Sequence, residues 1–399
     1  MHYFALPCLH PLAAEARLGH QLWPNKRLEM GKRLSVCLGL CCLALLLFYR
    51  SPSSQLFFIK GDNQSENCEA KLIPLDSALL DCFEGNSSCQ AQPDSLLGQF
   101  TSCPLAGNGS RSVNGWQNVV PIVDHGSYWA FTAALSSSQA PVERLIPAFE
   151  LERSPSEGRL WIPQPLKLFR RALASSELRS CNQTLARQFR DAHPQFYEKP
   201  PYLPDSVVTE LTYVRELLWS QNMQALLLGG TLLGWRRECG IIPYTTDLDM
   251  LAWASEYSPQ LEAALIKDTR AKLYWILGKP EDSLELSVHV AGNKKVDVFF
   301  LYPEAMGNGT WVGGMIVWKK QKLKWSYPPL ERVCAGLLLG EMVWVPCEVD
   351  AFLAADYGPA WDKPAHDATF KWYKDHSNVQ ENGLWSSREW STVYRTKFT

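Results

Sequence analysis

Residues 225–249 constrain this chain more than any other stretch. An apolar run, Ala225 to Leu228, breaks at Gly229, Gly230 and Thr231, and Asp247 then opens a second apolar run through Trp253 that contains Asp249. In a β-strand alternate side chains share a face, so Asp247 and Asp249 direct two carboxylates into one cleft. Such charges repel unless a cation lies between them, and hard oxygen ligands suit Mg2+ or Mn2+. Asp297 is a lone carboxylate inside the apolar run Val296–Phe300, where it would be costly to bury unpaired, so it is expected to face the same metal. Gly229 and Gly230 supply a turn without side chains at the mouth of a helix, where backbone N–H groups favour a phosphate.

The flanking pattern predicts the elements that carry these groups. Asp205 or Ser206 caps a helix whose apolar positions recur at three and four residues as far as Asn222. A strand at Ala225–Leu228, a helix at Leu232–Arg237, a strand at Leu248–Trp253 and a helix at Pro259–Lys272 follow. Strands are expected at Ser283–Val290, Lys295–Tyr302 and Thr310–Trp318, the last two joined by a hairpin at Asn308 and Gly309. This order is α+β with a mixed sheet flanked by helices, and residues 205–399 form its domain. Short apolar runs broken by Pro and Ser predict a smaller β-rich domain at 113–204, and the polar, cysteine-flanked stretch 51–112 reads as a stem. Asp124, His125 and Ser127 are too close in sequence to make a catalytic triad and read as a turn.

Leu34 to Tyr49 carries no charge, which predicts one transmembrane signal anchor at 34–50 behind a tail at 1–33. Arg17, Lys26, Arg27, Lys32 and Arg33 precede it, so the tail is cytosolic and the remainder lumenal, a type II arrangement. The short span suits the thin membranes of the ER and Golgi. Asn-x-Ser/Thr acceptors for N-glycosylation at Asn63, Asn86, Asn108, Asn182 and Asn308 all follow the anchor. So do Cys68, Cys82, Cys89, Cys103, Cys181, Cys239, Cys334 and Cys347, an even set that favours disulfides of open connectivity. A formal net charge of -2 with no long basic run leaves no footprint for nucleic acid.

The stretch Leu228–Asp249 (LGGTLLGWRRECGIIPYTTDLD) resembles the signature of the LicD/fukutin family. Gly278–Leu286, Val296–Phe300, Val345–Glu348, Tyr357–Gly358 with Trp361, and Asn378–Trp385 resemble family segments in the same order. The resemblance covers roughly Asp205 to Trp390 and implies a nucleotidyltransferase-like catalytic domain. It implies a metal-dependent Golgi phosphotransferase that moves ribitol 5-phosphate from a CDP-activated donor to a glycan of a glycoprotein such as dystroglycan. Asp247, Asp249 and Asp297 match the family's metal-ligand positions, and Gly229, Gly230, Thr231 and Arg237 are expected to meet donor phosphate. Arg236, Lys371 and Lys374 are weaker phosphate candidates. Many LicD-type chains carry a further Asp where this one has Thr245. CDP-glycerol or CDP-choline as donor, and a non-catalytic glycan-binding scaffold among other Golgi glycosyltransferases, are the alternative readings.

Overall fold

The computed structural model describes residues 71–85, 91–100, 115–364 and 370–396. The tail and the anchor expected at 34–50 lie outside the described residues, among which no helix is long and apolar enough to cross a membrane. The described residues open with β1 (Lys71–Pro74), α1 (Ser77–Gly85), β2 (Leu97–Phe100), β3 (Val119–Asp124), β4 (Tyr128–Ala133) and β5 (Val142–Pro147). Next come β6 (Glu150–Arg153), β7 (Trp161–Gln164), α2 (Leu166–Ala174), α3 (Gln183–Ala192) and α4 (Val207–Ser220). The centre holds β8 (Leu226–Leu227), α5 (Gly229–Glu238), β9 (Asp247–Trp253), α6 (Pro259–Lys267), β10 (Lys272–Lys279), β11 (Asp282–Val290) and β12 (Lys294–Pro303). After it run β13 (Thr310–Ile316), β14 (Gln321–Tyr327), β15 (Val333–Leu338) and β16 (Glu341–Pro346). The last elements are α7 (Val349–Tyr357), β17 (Val379–Leu384), α8 (Trp390–Val393) and β18 (Tyr394–Thr396).

The expected mixed α+β organisation is what this order produces. The large sheet runs β15-β16-β8-β9-β12-β11-β10-β18, with β13, β14 and β17 attached beside β12. The β9/β12 and β16/β8 pairs are parallel, and the other pairs of this sheet are antiparallel. Leu248, Met250 and Ala252 of β9 and Val296, Val298 and Phe300 of β12 alternate with the acidic positions and are buried. That apolar face is what α4 covers, packing on β12 and β16, so the acidic residues are left on the other face. The hairpin expected at Asn308 and Gly309 joins β12 to β13, with Glu304 N–H donating to the Gly309 carbonyl at 3.0 Å.

Two boundaries differ from the sequence reading. The stretch 51–112 is not loop throughout, because β1 pairs with β2 and β2 with β3 in a five-stranded sheet β1-β2-β3-β4-β5. The helix expected to reach Lys272 stops at Lys267: the Asp268 carboxylate accepts from Arg270 N–H at 2.8 Å and Ala271 N–H at 2.7 Å, a local turn that competes with the helix. Asp124 makes a similar bond to Gly126 N–H at 2.8 Å between β3 and β4, the turn expected there.

The two sheets share one apolar cluster, which runs from Ile73, Trp129 and Phe169 to Leu226, Val298 and Trp344. A chain of ring contacts, Phe169 to Phe149, Phe149 to Trp219 and Trp219 to Trp344, crosses between them. Backbone bonds also cross. Leu178 N–H donates to the Glu143 carbonyl of β5 at 2.8 Å, and Arg179 N–H to the Ala335 carbonyl of β15 at 2.8 Å. Disulfides join Cys181 to Cys239 at the end of α5, and Cys334 to Cys347 across the β15/β16 hairpin.

Candidate active site

Register brings the three predicted carboxylates together. In the parallel β9/β12 pair Asp297 lies opposite Asp249, and Lys295 lies opposite Asp247. On the far side of β12, Ser287 of β11 lies opposite Asp297. Two adjacent rows of the same face therefore carry Asp249, Asp297 and Ser287, then Asp247 and Lys295.

Lys295 was not foreseen. Its ammonium donates to Asp247 Oδ2 at 3.0 Å and Asp297 Oδ2 at 2.7 Å, so a cationic side chain stands where the sequence called for a metal. Burial alone would lower the proton affinity of Lys295, but Asp297 and Asp247 outweigh it and raise its pKa. Burial raises Asp249 well above the usual carboxylate range, and the charges of Asp247 and Asp297 add to the effect. Asp297 is also raised by burial, against the attraction of Lys295 and a 2.7 Å hydrogen bond from Ser287 Oγ. A fourth carboxylate, Glu285 of β11, is pushed up to about 8 by burial and by Asp297. A lone acid between Leu284 and Leu286, it carries the same signal that singled out Asp297. One ammonium thus offsets part of a four-carboxylate cluster, and the imbalance favours a further cation.

The glycine turn is built against this cluster. Helix α5 begins at Gly229 itself, earlier than the expected Leu232, and Gly229 adopts a positive φ of 52°. A Cβ there would lie 2.9 Å from Asp249 Oδ2, closer than side chains tolerate. Gly230 is less tight, with a Cβ 3.9 Å from the same oxygen. Thr231 Oγ1 accepts from Asp249 N–H at 2.8 Å, which clamps the start of α5 to β9. Thr245 Oγ1 donates to the Asp247 carbonyl at 3.2 Å and so braces the loop before the strand.

Arg237 is placed otherwise than expected. It is buried and bonded to Glu238 through Nη2 at 2.6 Å, with its guanidinium 4.5 Å from the Phe189 ring centroid. Glu238 in turn accepts from Tyr197 Oη at 2.7 Å. Arg236 pairs with Asp350 at 2.8 Å, and Lys371 and Lys374 are on the surface away from these contacts. Asn182 and Asn308 are exposed, as glycan acceptors must be, although Asn182 Oδ1 also caps α3; Asn63, Asn86 and Asn108 lie outside the described residues.

Mg2+ or Mn2+ suits the donor type, since the face offers carboxylate oxygens and two of them already hold an ammonium at hydrogen-bond distance. Among the described residues, however, no three His, Cys, Asp or Glu side chains converge as a ready-made ligand set. Loading a metal there requires Lys295 to turn aside.

The class defined so far is an α+β protein with an acidic, partly buried face beside a glycine-opened helix. Residues 222–348, which contain all of these acidic groups, match the family model described as the LicD/FKTN/FKRP nucleotidyltransferase domain. Among curated relatives, a Caenorhabditis elegans protein named uncharacterized protein T07A5.1 is 34% identical over 60% of this chain and 62% of its own length. Proteins named ribitol-5-phosphate transferase FKTN are 38% identical in Mus musculus, over 42% of this chain and 35% of the relative, and 33% identical in Homo sapiens, over 52% and 45%. The aligned region thus spans less than two thirds of each relative. The family match and the fukutin relatives together support a fukutin-like member of the LicD family.

Proposed function

We propose that this chain is a metal-dependent transferase of the Golgi or ER lumen. It moves ribitol 5-phosphate, or a similar alditol phosphate, from a CDP-activated donor to a glycan on a glycoprotein. The observation that carries this reading is the β9/β12 register, which sets Asp249 beside Asp297 and Asp247 beside Lys295 inside the segment that matches the family.

In this reading Asp247, Asp249 and Asp297 hold Mg2+ or Mn2+, which neutralises the charge of the donor diphosphate when bound. Lys295, released from Asp247 and Asp297, offers its ammonium to a phosphate oxygen. Asp297 is the carboxylate that takes the acceptor's hydroxyl proton, since burial raises its basicity and Ser287 fixes its orientation. Gly229 and Gly230 keep side chains away from Asp249, and Thr231 holds the strand that presents it. Arg237 supports α5 from within through Glu238 and is not assigned to the donor.

The test uses the purified full chain with Mn2+ or Mg2+ and a phosphorylated glycopeptide, offered CDP-ribitol, CDP-glycerol or CDP-choline in turn. With CDP-ribitol, release of CMP and a mass gain of one pentitol phosphate are expected, and the gain of the matching group from the other two donors is expected to be smaller. No mass gain with any CDP donor would refute the enzymatic reading in favour of a glycan-binding scaffold.

A further inference from the structure

The opposite end of β9 borders a cavity of about 540 Å3, at the seam between the two sheets. Trp253 lines it, six residues along the strand from Asp247, which is roughly 20 Å in extended chain. Arg144 of β5 lines it too. Its side chain is only 6% exposed, no carboxylate reaches it at ion-pair distance among the described residues, and its Nε–H has no hydrogen-bond partner. Among the described residues the one bond its guanidinium makes is a long one, 3.5 Å to Ser176 Oγ. Gln224, 2% exposed, lines the same cavity and leaves its Nε2 donor without a partner.

An unpaired guanidinium is among the most costly groups to bury, and a second orphaned donor on the same wall compounds the cost. The acidic residues of the wall relieve it only in part: the charge of Glu177 favours the charged guanidinium, but burial outweighs it. Glu256 is engaged by Arg171 at 2.7 Å and by Gln224 N–H at 2.9 Å. Glu177 is engaged by Arg179 at 3.1 Å, and Glu331 is exposed at the rim. We propose that this cavity binds a small organic oxyanion, a phosphate ester or a carboxylate, whose charged oxygens meet Arg144 and whose neutral acceptor meets Gln224. The volume exceeds that of a bare anion and lies in the range of small-ligand sites, while Leu135, Trp253, Leu330 and Val333 give an organic body apolar walls. The site is independent of the transferase reading, because no group of the acidic face takes part in it.

The experiment follows thermal unfolding of the full chain in EDTA with inorganic phosphate, sulfate or acetate as probes. An anion that fills the site raises the midpoint by about 3 °C once it exceeds its dissociation constant several-fold. Phosphate and sulfate acting without acetate mark a phosphate-ester site; acetate acting alone marks a carboxylate site. The rise is lost in Arg144→Met and kept in Asp249→Asn, at the other end of the strand. No rise with any probe, an equal rise in R144M, or loss of the rise in D249N overturns the proposal. Should R144M not fold, Gln224→Leu decides in its place: a reduced rise supports the site, and a rise equal to that of the unmodified chain overturns it.

Discussion

Along β9 the chain meets opposite electrostatic problems at its two ends. Beside Asp247 and Asp249 the buried groups are acidic, with Asp297 and Glu285 added, and the ammonium of Lys295 pairs with Asp247 and Asp297. Near Trp253 the buried charge is a guanidinium with no carboxylate at ion-pair distance among the described residues. Neither arrangement is needed for the fold, since the apolar face of the same strand already buries Leu248, Met250 and Ala252. Charges that the fold does not require, and that cost stability where they stand, point to ligands of the opposite sign.

The largest expected effect falls on the acidic end. Asp249→Asn should lower turnover on the order of 10³-fold, the scale of losing one preorganised charge at a transition state. It should leave the stability of the metal-free chain unchanged or higher, because it removes a carboxyl whose ionised form burial, Asp247 and Asp297 all disfavour. Rates with CDP-ribitol and urea unfolding of the same samples measure both. Normal turnover would end the claim that this end is built for catalysis.

Lys295→Met is the next largest. Breaking a buried ion pair costs roughly 3–5 kcal/mol, and since Lys295 and Asp247 are each about a third exposed, a loss of roughly 2 kcal/mol is expected in EDTA. Saturating Mn2+ should restore it if a divalent cation takes the place of the ammonium. A loss that Mn2+ does not restore would assign Lys295 a structural role only.

Titration sharpens the same contrast. Glu285 is raised from its ordinary 4.5 to about 8, so between those values the folded chain holds a proton that the unfolded chain has released. Its contribution to stability is present in full below 4.5 and is lost as pH rises through about 8. Metal-free chain should therefore become less stable by roughly 1–2 kcal/mol between about pH 6 and 8, and Glu285→Gln should flatten that slope. An identical slope in E285Q would remove Glu285 from the acidic group.

Much of the acidic end was legible because its signals are local. Strand alternation put Asp247 and Asp249 on one face, and a lone charge among apolar neighbours marked Asp297. The same rule would have found Glu285, and Lys295 lies on the face of Asp297 by the same alternation. What the sequence does not carry is pairing between distant segments: nothing local shows that β12 runs parallel to β9 with Asp297 opposite Asp249. The surroundings of Arg237 were hidden for the converse reason, since its partner is the neighbouring Glu238 and the burial that joins them comes from Phe189 and Tyr197 far upstream. The Arg144 cavity was invisible because its walls come from both sheets.

The smallest expected effect concerns how firmly the backbone holds the acidic end. Gly229 has a positive φ, and a methyl group there would stand 2.9 Å from Asp249 Oδ2; Gly230 has neither feature. Gly229→Ala should therefore cost about 1 kcal/mol in left-handed strain, and it should also displace the Asp249 carboxylate and lower turnover. Gly230→Ala should be neutral or slightly stabilising, because alanine suits the first turn of α5 better than glycine does. Urea unfolding of the two variants, read beside their rates, separates a turn shaped to hold Asp249 from one that is merely tight. Equal behaviour of the two would mean that the strand alone positions the carboxylate, leaving the turn no part in the difference between the two ends of β9.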